Sequence, residues 1–244
     1  MNSQLITLFL TSLLAGIAVF IIPHFDQKRF KSVLSFSGAY LFSITVIHIL
    51  PELFHEAPDI KLVGIYVLAG YFFQLILEYF SSGIEHGHMH FEQEQKTHIP
   101  YTIILSLCLH SFLEGTLLTH PSESHGAEDS GNILYGLVLH KIPEAFALMS
   151  VIVFRLGKKT FAFALLVLYA CCSPVGLMLS NYLYNNNIVP KDIFTFIFAL
   201  VAGNFLYIST TIFFETSPNH KFKARKLLVS LLGAALAVIV EYVL

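Results

Sequence analysis

Two short stretches decide how this chain is read: His110-Ser-Phe-Leu-Glu114-Gly115 and His140-Lys-Ile-Pro143-Glu144-Ala145. Each pairs a histidine with a glutamate four residues later, and each lies inside a long apolar run. On an α-helix that spacing puts both side chains on one face, about one turn apart. An ionisable side chain at the centre of a bilayer costs at least ~2.5 kcal/mol. Four such groups at matching places on consecutive helices call for something that stabilises them. A divalent cation held by two imidazoles and two carboxylates would do so, which makes His110, Glu114, His140 and Glu144 the candidate metal ligands.

The surroundings of these stretches define the class. The chain has 244 residues, 55% hydrophobic and only 12% charged, whereas a soluble domain carries about 25% charged residues. Its mean hydropathy is +0.70. The apolar residues fall into runs of roughly 18 to 23, the length needed to cross a ~30 Å hydrocarbon core. Eight spans are expected, at Leu5–Ile22, Val33–Leu50, Leu62–Phe80, Ile99–Thr119, Ile133–Val153, Phe161–Leu183, Ile193–Phe214 and Leu227–Val243. They must be helices, because an open sheet leaves its backbone unsatisfied in lipid. The runs are continuously apolar and lack the two-residue alternation of a membrane barrel. The predicted fold is therefore all-α: a single polytopic membrane domain over residues 1–244, in a plasma or inner membrane. Met1 to Gln4 contain no Lys or Arg, unlike a cleaved signal, so the first run is expected to stay as a helix.

Charge sets the expected orientation. Eleven of the 14 basic residues fall in the loops after the first, third, fifth and seventh spans, and only Lys61 and Lys191 fall in the opposite loops. By the positive-inside rule the basic side is cytoplasmic, which places both termini outside. The outer loops lean acidic, with Glu52, Glu56 and Asp59, then Glu123, Glu128 and Asp129. Carboxylates there could concentrate cations, or could be ordinary solvated loop charge. The net charge of −2 says little about partners. The expected ones are the metal ion and the lipid bilayer, with no nucleic acid. Gly16, Gly38 and Gly70 could serve helix contacts within a subunit or between the subunits of a homodimer.

The loop at about 81–98 carries Glu85-His86-Gly-His88-Met-His90, then Glu92, Glu94 and His98. Alternating histidines suit weak metal binding, although a polar linker would have similar composition. The tract lacks the fixed spacing of a structural zinc site. Cys108, Cys171 and Cys172 all fall inside spans, so no disulfide framework is expected. Cys108 lies about 200° round the helix from His110 and is not counted as a ligand.

Prolines add a second signal. Pro143 sits between His140 and Glu144, Pro174 lies in the sixth span beside Ser173 and Gly176, and Pro51 ends the second between His48 and Glu52. Proline lacks an N–H and clashes with the carbonyl four residues back. Helices broken at mid-membrane beside ionisable residues point to a transport site. Read alone, one histidine in a span is more often a helix-to-helix hydrogen bond, and one glutamate could be half of a proton relay. Two matched pairs in adjacent spans are much harder to dismiss. Imidazole with carboxylate suits Zn²⁺, Fe²⁺, Mn²⁺ and similar ions, including Cd²⁺. The metal is then substrate, and no organic cofactor is expected.

At these residues the chain resembles the ZIP family of divalent metal transporters. The fourth-span His110…Glu114-Gly115 and fifth-span His140…Pro143-Glu144 carry the likeness, supported by His48-Ile-Leu-Pro51-Glu52 and by Gly203-Asn204-Phe-Leu-Tyr207. The resemblance implies a metal path between the fourth and fifth spans, entered from outside, with transport toward the cytoplasm. Family members often hold two adjacent metals bridged by the two glutamates. The ligands of the first are all present here. Those of the second are replaced: Ser111, Lys141 and Ser173 stand where the pattern has Asn, an acidic or amide residue, and an acidic residue. An ammonium at Lys141 would repel a second cation and could take its place beside Glu114 or Glu144. One transport metal is expected, with His48, Glu52, His86, His88 and His90 as entrance, exit or accessory residues.

Two other functions compete. A membrane-embedded zinc hydrolase needs an open metal position and a general base. No His-Glu-x-x-His motif occurs, since His55-Glu56 runs on into Ala57, Pro58 and Asp59. A metal sensor without flux would suit Lys141 and the histidine-bearing loop.

Overall fold

Every described element of the computed structural model is helical, as a backbone that must satisfy itself in lipid requires. The structure describes residues 1–22, 27–57, 59–81, 101–119, 129–156, 159–215 and 224–243. The helices are α1 (Asn2–Ile21), α2 (Gln27–Ile44), α3 (Leu50–Glu56), α4 (Ile60–Ser81), α5 (Tyr101–Thr116), α6 (Asp129–Leu156), α7 (Lys159–Asn185), α8 (Lys191–Glu215) and α9 (Ala224–Val243). A π-turn at Thr45–Ile49 joins α2 to α3, so the two form one span. Among the described residues, eight helices are long and apolar enough to cross a membrane. Several outrun their predicted apolar windows, because a helix continues into polar ends where hydropathy has already fallen.

Local chemistry sets some of the boundaries. Asp59 caps α4, its Oδ1 accepting from the backbone N–H groups of Lys61 at 2.9 Å and Leu62 at 3.2 Å. One of the acidic loop residues is thus a structural cap. Pro51 begins the short α3. A proline there cannot donate to the carbonyl of Ile47. The π-turn just before it shifts the hydrogen bonding by one residue, with the Leu50 N–H reaching the Thr45 carbonyl. Pro143 and Pro174 lie inside α6 and α7, each of which runs on through its proline as a helix.

The bundle sorts into two groups of four spans. In one, α1 packs on α6 and α7, and α5 packs on α7; in the other, α4 packs on α8, and α2 on α9 and α8. The groups meet chiefly where α2 lies on α6 and α4 on α5. The apolar windows of the second, fourth, fifth and seventh spans are 61%, 67%, 67% and 61% buried, against 22% for the first, third and eighth. The inner four therefore build the core, and the others present leucine and isoleucine to lipid, such as Leu14, Ile65 and Leu231.

Small residues set the closest approaches. A Cβ on Gly115 would collide with the Ser173 carbonyl, and one on Gly176 with the Phe112 carbonyl, so α5 and α7 touch backbone to backbone. Gly70 and Gly203 do the same for α4 and α8. Gly16 lies under Leu166 and Gly38 against Ile212. The three glycines that could have served a subunit interface are thus all used within the chain.

Candidate metal centre

α5 and α6 bring the four predicted ligands to one point. One ligand atom from each of His110, Glu114, His140 and Glu144 can be chosen so that all lie within 4.8 Å of one another. All four side chains are at most 1% exposed. His110 Nε2 is 3.1 Å from Glu114 Oε1, and His140 Nε2 is 3.7 Å from the same oxygen. The two imidazoles meet edge to face, with centroids 5.8 Å apart. Neither ring nitrogen of His140 has a hydrogen-bond partner, and nor does Glu144 Oε1. Buried polar atoms are rarely left so, and a cation would satisfy Glu144 Oε1 and one nitrogen of His140 together. Tetrahedral zinc, at bond lengths of about 2.0–2.1 Å, needs neighbouring ligand atoms about 3.3 Å apart. The cluster is therefore close to that size.

Lys141 occupies the other side of the carboxylates. Its Nζ contacts Glu114 Oε2 and lies 3.0 Å from Glu144 Oε2. It also donates to the Tyr169 hydroxyl at 3.4 Å and sits 5.2 Å from the centre of that ring. Each carboxylate is thus divided, with Oε2 on the ammonium. The Oε1 of Glu114 turns to the imidazoles, and that of Glu144 is left for a ligand. The expected pairing with one glutamate or the other is realised with both. Nothing in the sequence singled out Tyr169, which comes from α7 to cover the lysine.

The other two replaced positions face each other rather than the ligands. The hydroxyls of Ser111 and Ser173 are 3.0 Å apart, and the Ser173 hydroxyl donates to the Ser111 carbonyl at 2.7 Å. They fasten α5 to α7 at its narrowest point. Asn204, in the amide orientation that satisfies both its ends, donates to the Gly70 carbonyl at 2.6 Å and so joins α8 to α4. Cys108, Cys171 and Cys172 are free thiols.

His48 and Glu52 lie apart from this centre, on the π-turn and α3. His48 Nδ1 is 2.9 Å from Glu241 Oε1, near the end of α9, and its Nε2 is 3.6 Å from Glu52 Oε2. Glu241 was readable only as a lone carboxylate in the last apolar run, where any such residue is a functional candidate. His86, His88 and His90, with the rest of their loop, fall outside the described residues, as do Glu123 and Glu128.

Eight apolar helices around a buried His₂Glu₂ cluster that could hold a metal ion define an integral, multi-pass membrane protein. The family model described as ZIP zinc transporter matches residues 86–241. The chain belongs to the ZIP family. That match covers the central His/Glu stretches and lies beyond the His48…Glu52 motif. A comparison with curated proteins finds no match.

Proposed function

We propose that this protein moves divalent transition-metal ions, zinc foremost, across the membrane toward the cytoplasm. A single ion would be held by His110, Glu114, His140 and Glu144 between α5 and α6. The observation that carries this reading is the cluster itself: four ligand groups gathered within 4.8 Å, fully desolvated, in a chain of this family. Direction rests on the eleven basic loop residues that mark the cytoplasmic face, with both termini outside.

The mechanism is alternating access by rigid groups of helices around a mid-membrane site. Pro143, between His140 and Glu144, removes one backbone hydrogen bond from α6, and the helix runs on through it so that both ligands stay on one element. Ligands bind metal deprotonated, so release is accompanied by proton uptake on the same imidazoles and carboxylates. The histidine-bearing loop would collect or sense released metal. Iron, manganese and cadmium fit the same donors less selectively.

A metal-binding protein without flux is the second reading, and the observation favouring it is Lys141 clamped across both carboxylates. Zinc uptake into proteoliposomes, with Fe²⁺, Mn²⁺ and Cd²⁺ as competitors, separates the two. Saturable zinc accumulation supports transport. Binding without accumulation supports the second reading.

A further inference from the structure

A third His-x-x-x-Glu pair, His48 and Glu52, is built differently from the central two. The π-turn at Thr45–Ile49 turns His48 inward, leaving its side chain 7% exposed. Its Nδ1 is 2.9 Å from Glu241 Oε1. The other oxygen of Glu241 accepts from Asn132 Nδ2 at 3.2 Å, and the Tyr40 hydroxyl donates to the Asn132 carbonyl at 3.4 Å. A carboxylate on Nδ1 fixes the tautomer: Nδ1 carries the proton and Nε2 keeps its lone pair. That Nε2 is buried without a hydrogen-bond partner, and it faces Glu52 Oε2 at 3.6 Å. The gap is too long for a good hydrogen bond. It is close to the ~3.3 Å that separates two ligands on one tetrahedral zinc ion.

We propose that His48 Nε2 and Glu52 bind a second divalent transition-metal ion, with Glu241 as the positioning residue behind the imidazole. The arrangement is the carboxylate–histidine–metal relay that orients ligands in many metal sites. Glu241 has both oxygens engaged, by His48 and Asn132, and so acts through the ring. Two protein ligands leave further positions for water, which suits an ion held in passing. The site is separate from the central one, because Asn132 precedes His140 by eight residues on α6, about 12 Å along the axis. It also draws on the opposite helix group, α2, α3 and α9, with Asn132 reaching across from α6. Its place as a station on the way to the centre rests on the transport reading; its ability to bind metal does not.

The test uses the full chain in detergent, dialysed against Zn²⁺ alone, with metal counted by mass spectrometry. With His86, His88 and His90 replaced by Ser throughout, so that the loop adds no ion, the chain is expected to bind two ions, and the same chain with His140→Ala and Glu144→Ala one. Adding His48→Ala or Glu52→Gln to that double variant should abolish the remaining ion. Glu52→Gln preserves shape and guards against a folding artefact, read from elution profile and thermal melting. Glu241→Gln should weaken this site about 10–100-fold while leaving zinc affinity at the central site unchanged, which a merely structural role would not do. A remaining ion unaffected by His48→Ala and Glu52→Gln, or no ion at all in a folded double variant, would overturn the proposal. Failure of zinc uptake by the unmodified protein with both sites still loaded would sink the transport reading alone. Uptake with no ion bound at His48 would sink this proposal alone.

Discussion

Replacing Lys141 is the sharpest probe of the central site. Its Nζ stands 3.0 Å from Glu144 Oε2 and in contact with Glu114 Oε2. At an effective dielectric of about 20, one such pair is worth roughly 5–6 kcal/mol of Coulomb energy. Breaking a buried pair by removing one partner costs about 3–5 kcal/mol once the rest relaxes. A second dication on the same two oxygens would lie about 4 Å from Nζ and meet a repulsion of roughly 8 kcal/mol at the same dielectric. That is about six orders of magnitude in affinity, so the unmodified protein should hold one ion at this centre. Lys141→Asp removes the repulsion and adds an oxygen ligand. It should lower the melting temperature of the metal-free protein, restore it with zinc, and admit a second ion beside the first. Anomalous diffraction from zinc-soaked crystals counts the ions at the centre directly. Two well-occupied ions, both touching Glu114 and Glu144 in the unmodified protein, would refute the reasoning, as would a single ion in Lys141→Asp.

Other perturbations have separate readouts. Alanine at His110, Glu114, His140 or Glu144 should each lower zinc uptake into proteoliposomes at least about tenfold with the protein still folded, because a desolvated ion short of one ligand is poorly compensated; near-normal uptake by Glu144→Ala would remove the site from the path. Serine at His86, His88 and His90 together should alter apparent efficiency and spare transport, and complete loss with intact expression would move that loop into the pathway. Cysteines introduced near Asp59 and Asn186 should be labelled from outside, and those near Lys158 and Lys223 should not; the reverse pattern overturns the orientation and the direction of transport. Gly115→Leu should prevent α5 from seating on α7, since even a Cβ there meets the Ser173 carbonyl, and the melting temperature should fall sharply.

What could be read from the chain alone follows from range. The spans were legible because a 30 Å apolar slab imposes a length on each helix. The His/Glu pairs were legible because four-residue spacing fixes a face. Lys141 was recognisable as a departure, but its grip on both carboxylates depends on how α5 and α6 rotate against each other. Glu241 was missed as a partner of His48 because 193 residues separate them, and no periodicity reaches so far. Ser111 and Ser173 were legible only as replaced ligands; that their hydroxyls meet at a backbone contact depends on how α5 seats on α7. The π-turn before Pro51 has only the proline as its signal, and proline alone does not say how a helix will absorb it.

The placement of the ligands constrains how the site can work. His110, Glu114, His140, Glu144 and Lys141 all hang from α5 and α6, and Tyr169 from α7, within one helix group. His48, Glu52 and Glu241 belong to the other; the Tyr40–Asn132 and Asn132–Glu241 hydrogen bonds and the tilted contact of the Phe30 and Phe146 rings join the two groups. Sliding or rocking at that seam would carry the central cluster as a unit. It would not pull one imidazole or carboxylate away from the rest, so the ion would keep its desolvated ligands while its surroundings changed. Such a motion would break the hydrogen bonds between Asn132, Glu241 and Tyr40, each worth about 0.5–1.5 kcal/mol, or up to about 3 where the carboxylate is charged. Asn132→Ala should therefore change the rate of zinc uptake while leaving zinc affinity at the centre unchanged. A matching loss of central affinity in equilibrium dialysis would show that the two groups do not move as units.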